Sequence, residues 1–351
     1  MQTRLLRLKD RRDIRIETNE LNSPGANEVL IRMGAGGICG SDLHYYQDGG
    51  FGPIRIKAPI ILGHEVAGII HELGPKVTNL SVGDKVSVNP SYPCGDCKYC
   101  LTDLSQHCLN MRFFGSALRF PHEQGAFRDL MVVRAQQCLP IEESTSLAEA
   151  ACAEPLAVCL HALSRAPDLR KKRVLITGSG PIGVLCVALA SYARAGEIFV
   201  TDLEDMPLEV AKKMGASQTI NVSGSSDEMA DFSADKGYFD LAFECSAAKA
   251  ALQSCIASVR PQGAIIQIGV TGDLPIPINL LVGKEISLVG THRFHSEFAA
   301  AVQLIDRGII NVAPMISYTY PLEQSVKAFE VAGDRTRAVK VQLSFLSDED
   351  A

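Results

Sequence analysis

The chain has 351 residues, enough for two or three domains with separate cores. Hydrophobic residues make up 46% and charged residues 21%, the net charge is -6, and Lys and Arg are scattered, which excludes a low-complexity chain and leaves no nucleic-acid footprint. No run approaches the roughly 18 apolar residues of a membrane span, and the basic start MQTRLLRLKDRRDIRIE has no apolar segment behind it, so a cytoplasmic protein with no membrane contact is expected.

Through residue 150 the chain is rich in Gly and Pro. EVLIRMGAGGIC, VAGIIHELG and DKVSVNP alternate apolar and polar positions between turn signals, which predicts an antiparallel, barrel-like unit. The texture then changes. TSLAEAACAEPLAVCLHALSRA is helical in composition. Five strands, KRVLITG, EIFVTD, YFDLAFECS, GAIIQIGV and EISLVGTH, are interleaved with the helices PIGVLCVALASYARA, MPLEVAKKMG and AAKAALQSCIASV. That alternation predicts a parallel sheet covered by helices. The closing AVKVQLSF reads as a strand returning to the first unit. The expected division is therefore 1–150 with 296–351, and 151–295 inserted between them. No repeat of roughly 20–50 residues is visible.

Eleven cysteines in a reducing compartment point to metal or catalysis rather than disulfides. Cys138, Cys152, Cys159, Cys186, Cys245 and Cys255 stand alone in apolar settings and read as buried small hydrophobes. Cys94, Cys97, Cys100 and Cys108 follow C-x2-C-x2-C-x7-C, with Gly95 for the turn. Four soft thiolates suit tetrahedral zinc with no open position, so this ion clips a loop. An iron–sulfur centre is the nearest alternative and a redox disulfide a more distant one.

A second set is more dispersed. Cys39 in GGICGSDLHYY, His64 and Glu65 in ILGHEVAG, and Glu154 in CAEPLAV offer sulfur, imidazole and carboxylate, the ligands of an open catalytic zinc site. Taken singly, each of these residues is more often structural.

VLITGSGPIGVL carries G-x-G-x-x-G with Gly178, Gly180 and Gly183, after an apolar strand and opening a helix. In that setting the pattern predicts a dinucleotide pyrophosphate at a helix N-terminus. Asp202 lies 19 residues beyond Gly183 and is placed to bind the adenosine ribose. Its charge disfavours a 2'-phosphate, and LEDMPLE downstream supplies no cation, so NAD is expected over NADP.

In order, GICGSDLH, GHE, the cysteine cluster, EPLAV and the glycine turn resemble the zinc-dependent medium-chain dehydrogenase family over nearly the whole chain. The polyol branch, sorbitol dehydrogenase and its relatives, fits best. GGICGSDLHYYQ, CKYC, MRFFGSA, AEPLAV, GPIG, KGYFD and GKEISL are similar to the idonate dehydrogenases within it. The resemblance implies an α/β protein, with a GroES-like antiparallel barrel bearing catalysis and a Rossmann domain bearing NAD.

It also implies roles. Cys39 and His64 correspond to catalytic zinc ligands, Glu154 or Glu65 to the third, and the four clustered cysteines to structural zinc. Ser41 and His44 correspond to a proton relay. Gly178, Gly180, Pro181, Ile182, Gly183, Asp202, Ile268, Val270, Thr291 and Arg293 correspond to the cofactor face. The position where many sorbitol dehydrogenases carry an arginine near the adenosine is Pro207 here, which leaves NADP use open. The implied reaction is oxidation of L-idonate at C5 to 5-dehydro-D-gluconate, with another polyol such as sorbitol or xylitol, or threonine, as the alternative. A sugar-acid carboxylate requires a cation, for which Arg112 and Arg293 are the candidates, with Arg119 read as surface and Tyr45 as a hydroxyl contact. From another class, a nucleotide-binding protein with structural zinc alone and no turnover also fits part of the pattern. GDLPIPINLLVGKEISL resembles the edge across which such domains pair, so a homo-oligomer, dimer or tetramer, is expected.

Overall fold

The computed structural model describes residues 1–224, 227–270 and 272–346. A seven-stranded sheet organises the first unit. Its path runs Cys138–Pro140, Lys85–Val88, Glu65–Leu73, Glu28–Gly37, Lys340–Ser344 and Ile316–Pro321, with Leu130–Arg134 also paired to Glu28–Gly37. All pairings are antiparallel except that of Ile316–Pro321 with Lys340–Ser344. Glu28–Gly37 and Glu65–Leu73 are buried along most of their length, and their side chains form one core with Phe127, Phe329 and Leu343. A second sheet of Asp13–Glu20, Gln2–Asp10 and Ile60–Ile61 completes the barrel-like unit.

The inserted unit is a six-stranded sheet, parallel throughout. In space its strands run Gln218–Asn221, Glu197–Asp202, Arg173–Thr177, Phe239–Glu244, Val259–Gln267 and Ser287–Gly290. Numbered in chain order this is 3-2-1-4-5-6, the doubly wound dinucleotide-binding arrangement. The strand order reverses between Arg173–Thr177 and Phe239–Glu244, so a crevice opens at Thr177 and Glu244.

One strand goes beyond the expected set. Gln218–Asn221, an edge strand of four residues, was absent from the predicted set; QTIN is short and exposed or half-buried at most positions, so it carries no apolar signal. Beyond residue 295 the chain still packs against that side of the molecule. Phe298, Ala301, Val302 and Ile305 of helix Glu297–Asp306, then Ile310, Val312 and Met315, are buried in the same core as Val174, Ile176 and Val184. The barrel sheet resumes only at Ile316.

Candidate active site

The candidate metal-binding side chains come from strand ends and helix starts. Cys39 caps the helix Gly40–Asp48, where its sulfur accepts the Asp42 N–H and its own N–H donates to Asp42 Oδ2 at 3.0 Å. His64 precedes the strand Glu65–Leu73. One ligand atom each from Cys39, His64 and Glu65 lies within 4.8 Å of the others. Glu154 stands outside that tight group, buried in the first turn of helix Ala153–Ser164, and the charges of His64, Glu65 and Cys39 reach it.

The electrostatics of this pocket call for a cation. Burial, reinforced by the negative charge of Glu65, pushes the Cys39 thiol up to about 12. Burial pushes the Glu154 carboxyl up to about 8, and Glu65 and Cys39 add to that. A bound divalent ion reverses this logic and ionises both groups. Glu65 is treated differently. Lys340 Nζ donates to both of its oxygens at 2.9 and 2.7 Å and to the Ile38 carbonyl at 3.2 Å, and both side chains are at most 2% exposed. Burial works against the Lys340 charge, but Glu65 outweighs it and holds the amine above its ordinary value.

Two of these supporting residues escaped the sequence reading. Asp42 is fully buried, accepts the Cys39 and Gly63 N–H groups and lies 3.8 Å from His64 Nδ1. Such outer carboxylates orient a metal-binding imidazole. The spacing Cys39 to Asp42, cap to third helical position, was its one available signal. Lys340 had a signal too, since a lysine at a core-facing strand position demands a buried counter-charge.

The relay candidates follow Cys39 on its helix. Ser41 is half-buried two residues after Cys39. His44 is exposed, 3.3 Å from Asp48, and its ring lies 5.1 Å from that of Phe51. With exposed Val270 it lines a cavity of about 260 Å3 between the two units. Tyr45 is buried, and its hydroxyl accepts the Ala117 N–H at 3.2 Å.

The two arginine candidates separate. Arg112 and Phe113 are consecutive on a two-residue strand and so point to opposite sides. Phe113 turns inward, its ring 5.3 Å from His64. Arg112 is 58% exposed and 3.9 Å from Glu123, so the fold does not bring it to the metal ligands. Arg119 is exposed and bonded to the Asn110 carbonyl. Arg293 does arrive: its guanidinium lies 4.3 Å over the Phe113 ring, within the fields of Glu154 and Tyr45, and burial lowers its pKa.

The four clustered thiols also converge. Their sulfurs lie within 4.8 Å of one another, with contacts of 3.4, 3.5 and 4.0 Å. Tetrahedral zinc with ~2.3 Å bonds needs about 3.8 Å between sulfurs, so the donor set fits. The N–H groups of Cys94 and Asn110 already point at the Cys108 sulfur, at 3.2 and 3.3 Å. Backbone N–H groups of Cys100 and Leu109 hold the Cys97 thiol down to about 6.

At the crevice, Gly178 takes φ +84°, and a Cβ on Gly183 would lie 1.8 Å from the Gly178 carbonyl oxygen, so the strand-to-helix turn admits only glycine at both. Pro181 and Ile182 open the helix Pro181–Tyr192. Asp202 accepts N–H groups from Ser179, Leu203 and Glu204 at 2.6, 2.7 and 3.1 Å. Of about four acceptor positions on a carboxylate, one is left for a ribose hydroxyl. Pro207 is buried in helix Asp205–Lys213 and brings no charge. The buried hydroxyls of Ser179 and Thr291 have no partner, as expected of groups that await a ligand. Ile268 is buried just past strand Val259–Gln267, its N–H donated to the Glu244 carbonyl.

Residues 25–143 match the alcohol dehydrogenase GroES-like domain, and residues 181–307 match the zinc-binding dehydrogenase family. The chain belongs to the zinc-dependent medium-chain dehydrogenases. It is 44% identical to the L-idonate 5-dehydrogenase (NAD(P)(+)) of Escherichia coli K12, over 91% of this chain and 92% of that one. It is 37% identical to the sorbitol dehydrogenase of Bacillus subtilis, over 92% and 91%. The crystal structure of the Escherichia coli L-idonate 5-dehydrogenase superposes with a TM-score of 0.92 at 40% identity, covering 98% of each chain. This dehydrogenase is therefore an enzyme of the alcohol and polyol class, using zinc and a nicotinamide dinucleotide, and the reading as a binding module without turnover falls. No helix among the described residues is long and apolar enough to cross a membrane.

Proposed function

We propose that this dehydrogenase oxidises L-idonate at C5 to 5-dehydro-D-gluconate, reversibly, with NAD and, less favourably, NADP. The observation that carries the sugar-acid reading is Arg293, a half-buried guanidinium stacked on Phe113 beside the metal ligands. A guanidinium there binds a carboxylate in a forked, charge-assisted contact. The 44% relative supports the same substrate. Arg293 is also balanced by Glu154, so a neutral polyol such as sorbitol is the second reading.

When bound, zinc supplies the Lewis-acid charge that acidifies a substrate hydroxyl, and NAD supplies the hydride acceptor. Cys39, His64 and Glu154 hold the ion on this reading, because Lys340 already compensates Glu65. Asp42 orients His64. Ser41 takes up the substrate proton, and His44, exposed at the edge of the inter-unit cavity, passes it to solvent. Tyr45 positions a hydroxyl of the sugar chain. Eleven free thiols suit a reducing compartment, so we place the enzyme in the cytoplasm. Ser287–Gly290 closes one edge of the parallel sheet with mostly exposed residues, and pairing there would give a dimer or tetramer.

Steady-state kinetics on idonate, sorbitol and threonine with each cofactor test this, for the native enzyme and for Arg293→Ala. Idonate is expected to lead. Arg293→Ala is expected to lower kcat/KM for idonate roughly 10- to 100-fold more than for sorbitol, the worth of one charge-assisted contact. Equal losses on both substrates would remove the carboxylate role.

A further inference from the structure

Beside the glycine turn lies a cavity of about 500 Å3, lined by Gly178, Asp202, Leu203, Ser246 and Arg335. Arg335 alone among these comes from the barrel side of the molecule. It sits in the turn between helix Ser325–Ala332 and strand Lys340–Ser344. Asp334 fixes that turn: its carboxylate accepts the Thr336 N–H and hydroxyl at 3.1 and 2.6 Å, and its carbonyl accepts the Arg337 and Ala338 N–H groups. Arg335 is thus presented at the tip of a tied loop.

Its guanidinium faces Gly180. A Cβ built on Gly180 would meet a single heavy atom within 4 Å, Arg335 Nη1 at 3.9 Å. Gly180 caps the 12-residue helix Pro181–Tyr192, whose first N–H groups and dipole present positive charge. Arg335 has no hydrogen bond or ion pair among the described residues, although Glu204 and Glu330 line the neighbouring cleft. A cation held beside a positive helix end, with no counter-charge bonded to it among the described residues, is the arrangement of an anion clamp.

We propose that Arg335 is the cross-domain ligand of the dinucleotide pyrophosphate, gripping it from the barrel side while the Gly180 turn holds it from the sheet side. The inference rests on the dinucleotide reading of that turn and not on the choice of sugar substrate.

The test is calorimetric titration of the zinc-loaded enzyme with ADP-ribose, adenosine, NADH and NADPH. Arg335→Ala is expected to weaken ADP-ribose, NADH and NADPH by similar factors, roughly 10- to 100-fold, and to leave adenosine unchanged. Arg335→Lys should recover part of the loss. Because the side chain is exposed, the unfolding midpoint and zinc content should match the native enzyme. An ADP-ribose affinity within twofold of native would overturn the proposal. So would an equal loss for adenosine, or a loss confined to NADPH, which would put the guanidinium on a 2'-phosphate instead. None of these readouts involves a sugar acid, so the substrate assignment can fail without affecting them.

Discussion

The two thiol sites use the same element under opposite conditions. At the Cys94–Cys108 lobe, four sulfurs converge as a donor set that would fill one ion's shell, and three of the four cysteines are only half-buried. Backbone N–H groups are the main support. At Cys39 the candidate donor set is mixed and buried, and charged side chains stand behind three of its members: Asp42 behind His64, Lys340 behind Glu65, Arg293 beside Glu154. A metal becomes a staple where its shell is full and solvent-facing. It becomes a reagent where a position is free and the surrounding charges are fixed in advance.

Substitutions at the two sites should therefore fail in different currencies. The largest effect is expected for Cys39→Ser: turnover drops about a thousandfold or more, and zinc falls from two ions per chain to one, with folding retained. Metal analysis beside kinetics reads both. Retained turnover with one ion would erase the contrast.

Next comes Lys340→Met, which strands the Glu65 carboxylate in the interior. Breaking one half of a buried pair costs about 3–5 kcal/mol, measurable by urea unfolding. The double change with Glu65→Leu should recover most of that. If the double variant is no better than the single, Lys340 packs rather than neutralises.

Cys97→Ser is expected to be milder. The melting temperature should fall by several degrees and assembly weaken, while turnover per remaining catalytic ion stays within about tenfold. Loss of turnover in a folded, assembled Cys97→Ser enzyme would show that the lobe is more than a staple.

The smallest effect lies away from both sites. Burial raises the Glu297 carboxyl, but the His161 hydrogen bond and the His295 N–H outweigh it and hold it at about 2. A carboxyl lowered on folding stabilises fully above its ordinary value near 4.5, and that contribution is lost as pH falls toward 2. Glu297→Gln should therefore cost about 1–2 kcal/mol at neutral pH and almost nothing near pH 2. A pH-independent cost would assign the residue to packing alone.

Sequence carried much of this because the relevant signals are local. The lobe is four cysteines within fifteen residues, and the nucleotide turn is a contiguous strand–glycine–helix. Cys39, His64 and Glu154 lie far apart in the chain: their donor chemistry made them candidates, and only the family resemblance gave them roles. Asp42, Lys340 and Arg335 were missed because each acts on a partner supplied by tertiary structure. Arg112 was offered for the opposite reason: its neighbours resemble idonate enzymes, but strand alternation sends Phe113 inward and Arg112 out.

Lys340 has a consequence for biosynthesis. It is 275 residues from Glu65, and its strand is wedged between Glu28–Gly37 and Ile316–Pro321. On a ribosome the metal ligands emerge long before the ammonium that neutralises their neighbour. A nascent chain therefore holds an unbalanced carboxylate beside its thiol and imidazole until strand Lys340–Ser344 threads into the sheet. The charge balance around the zinc candidates is in this way tied to a strand made long after them.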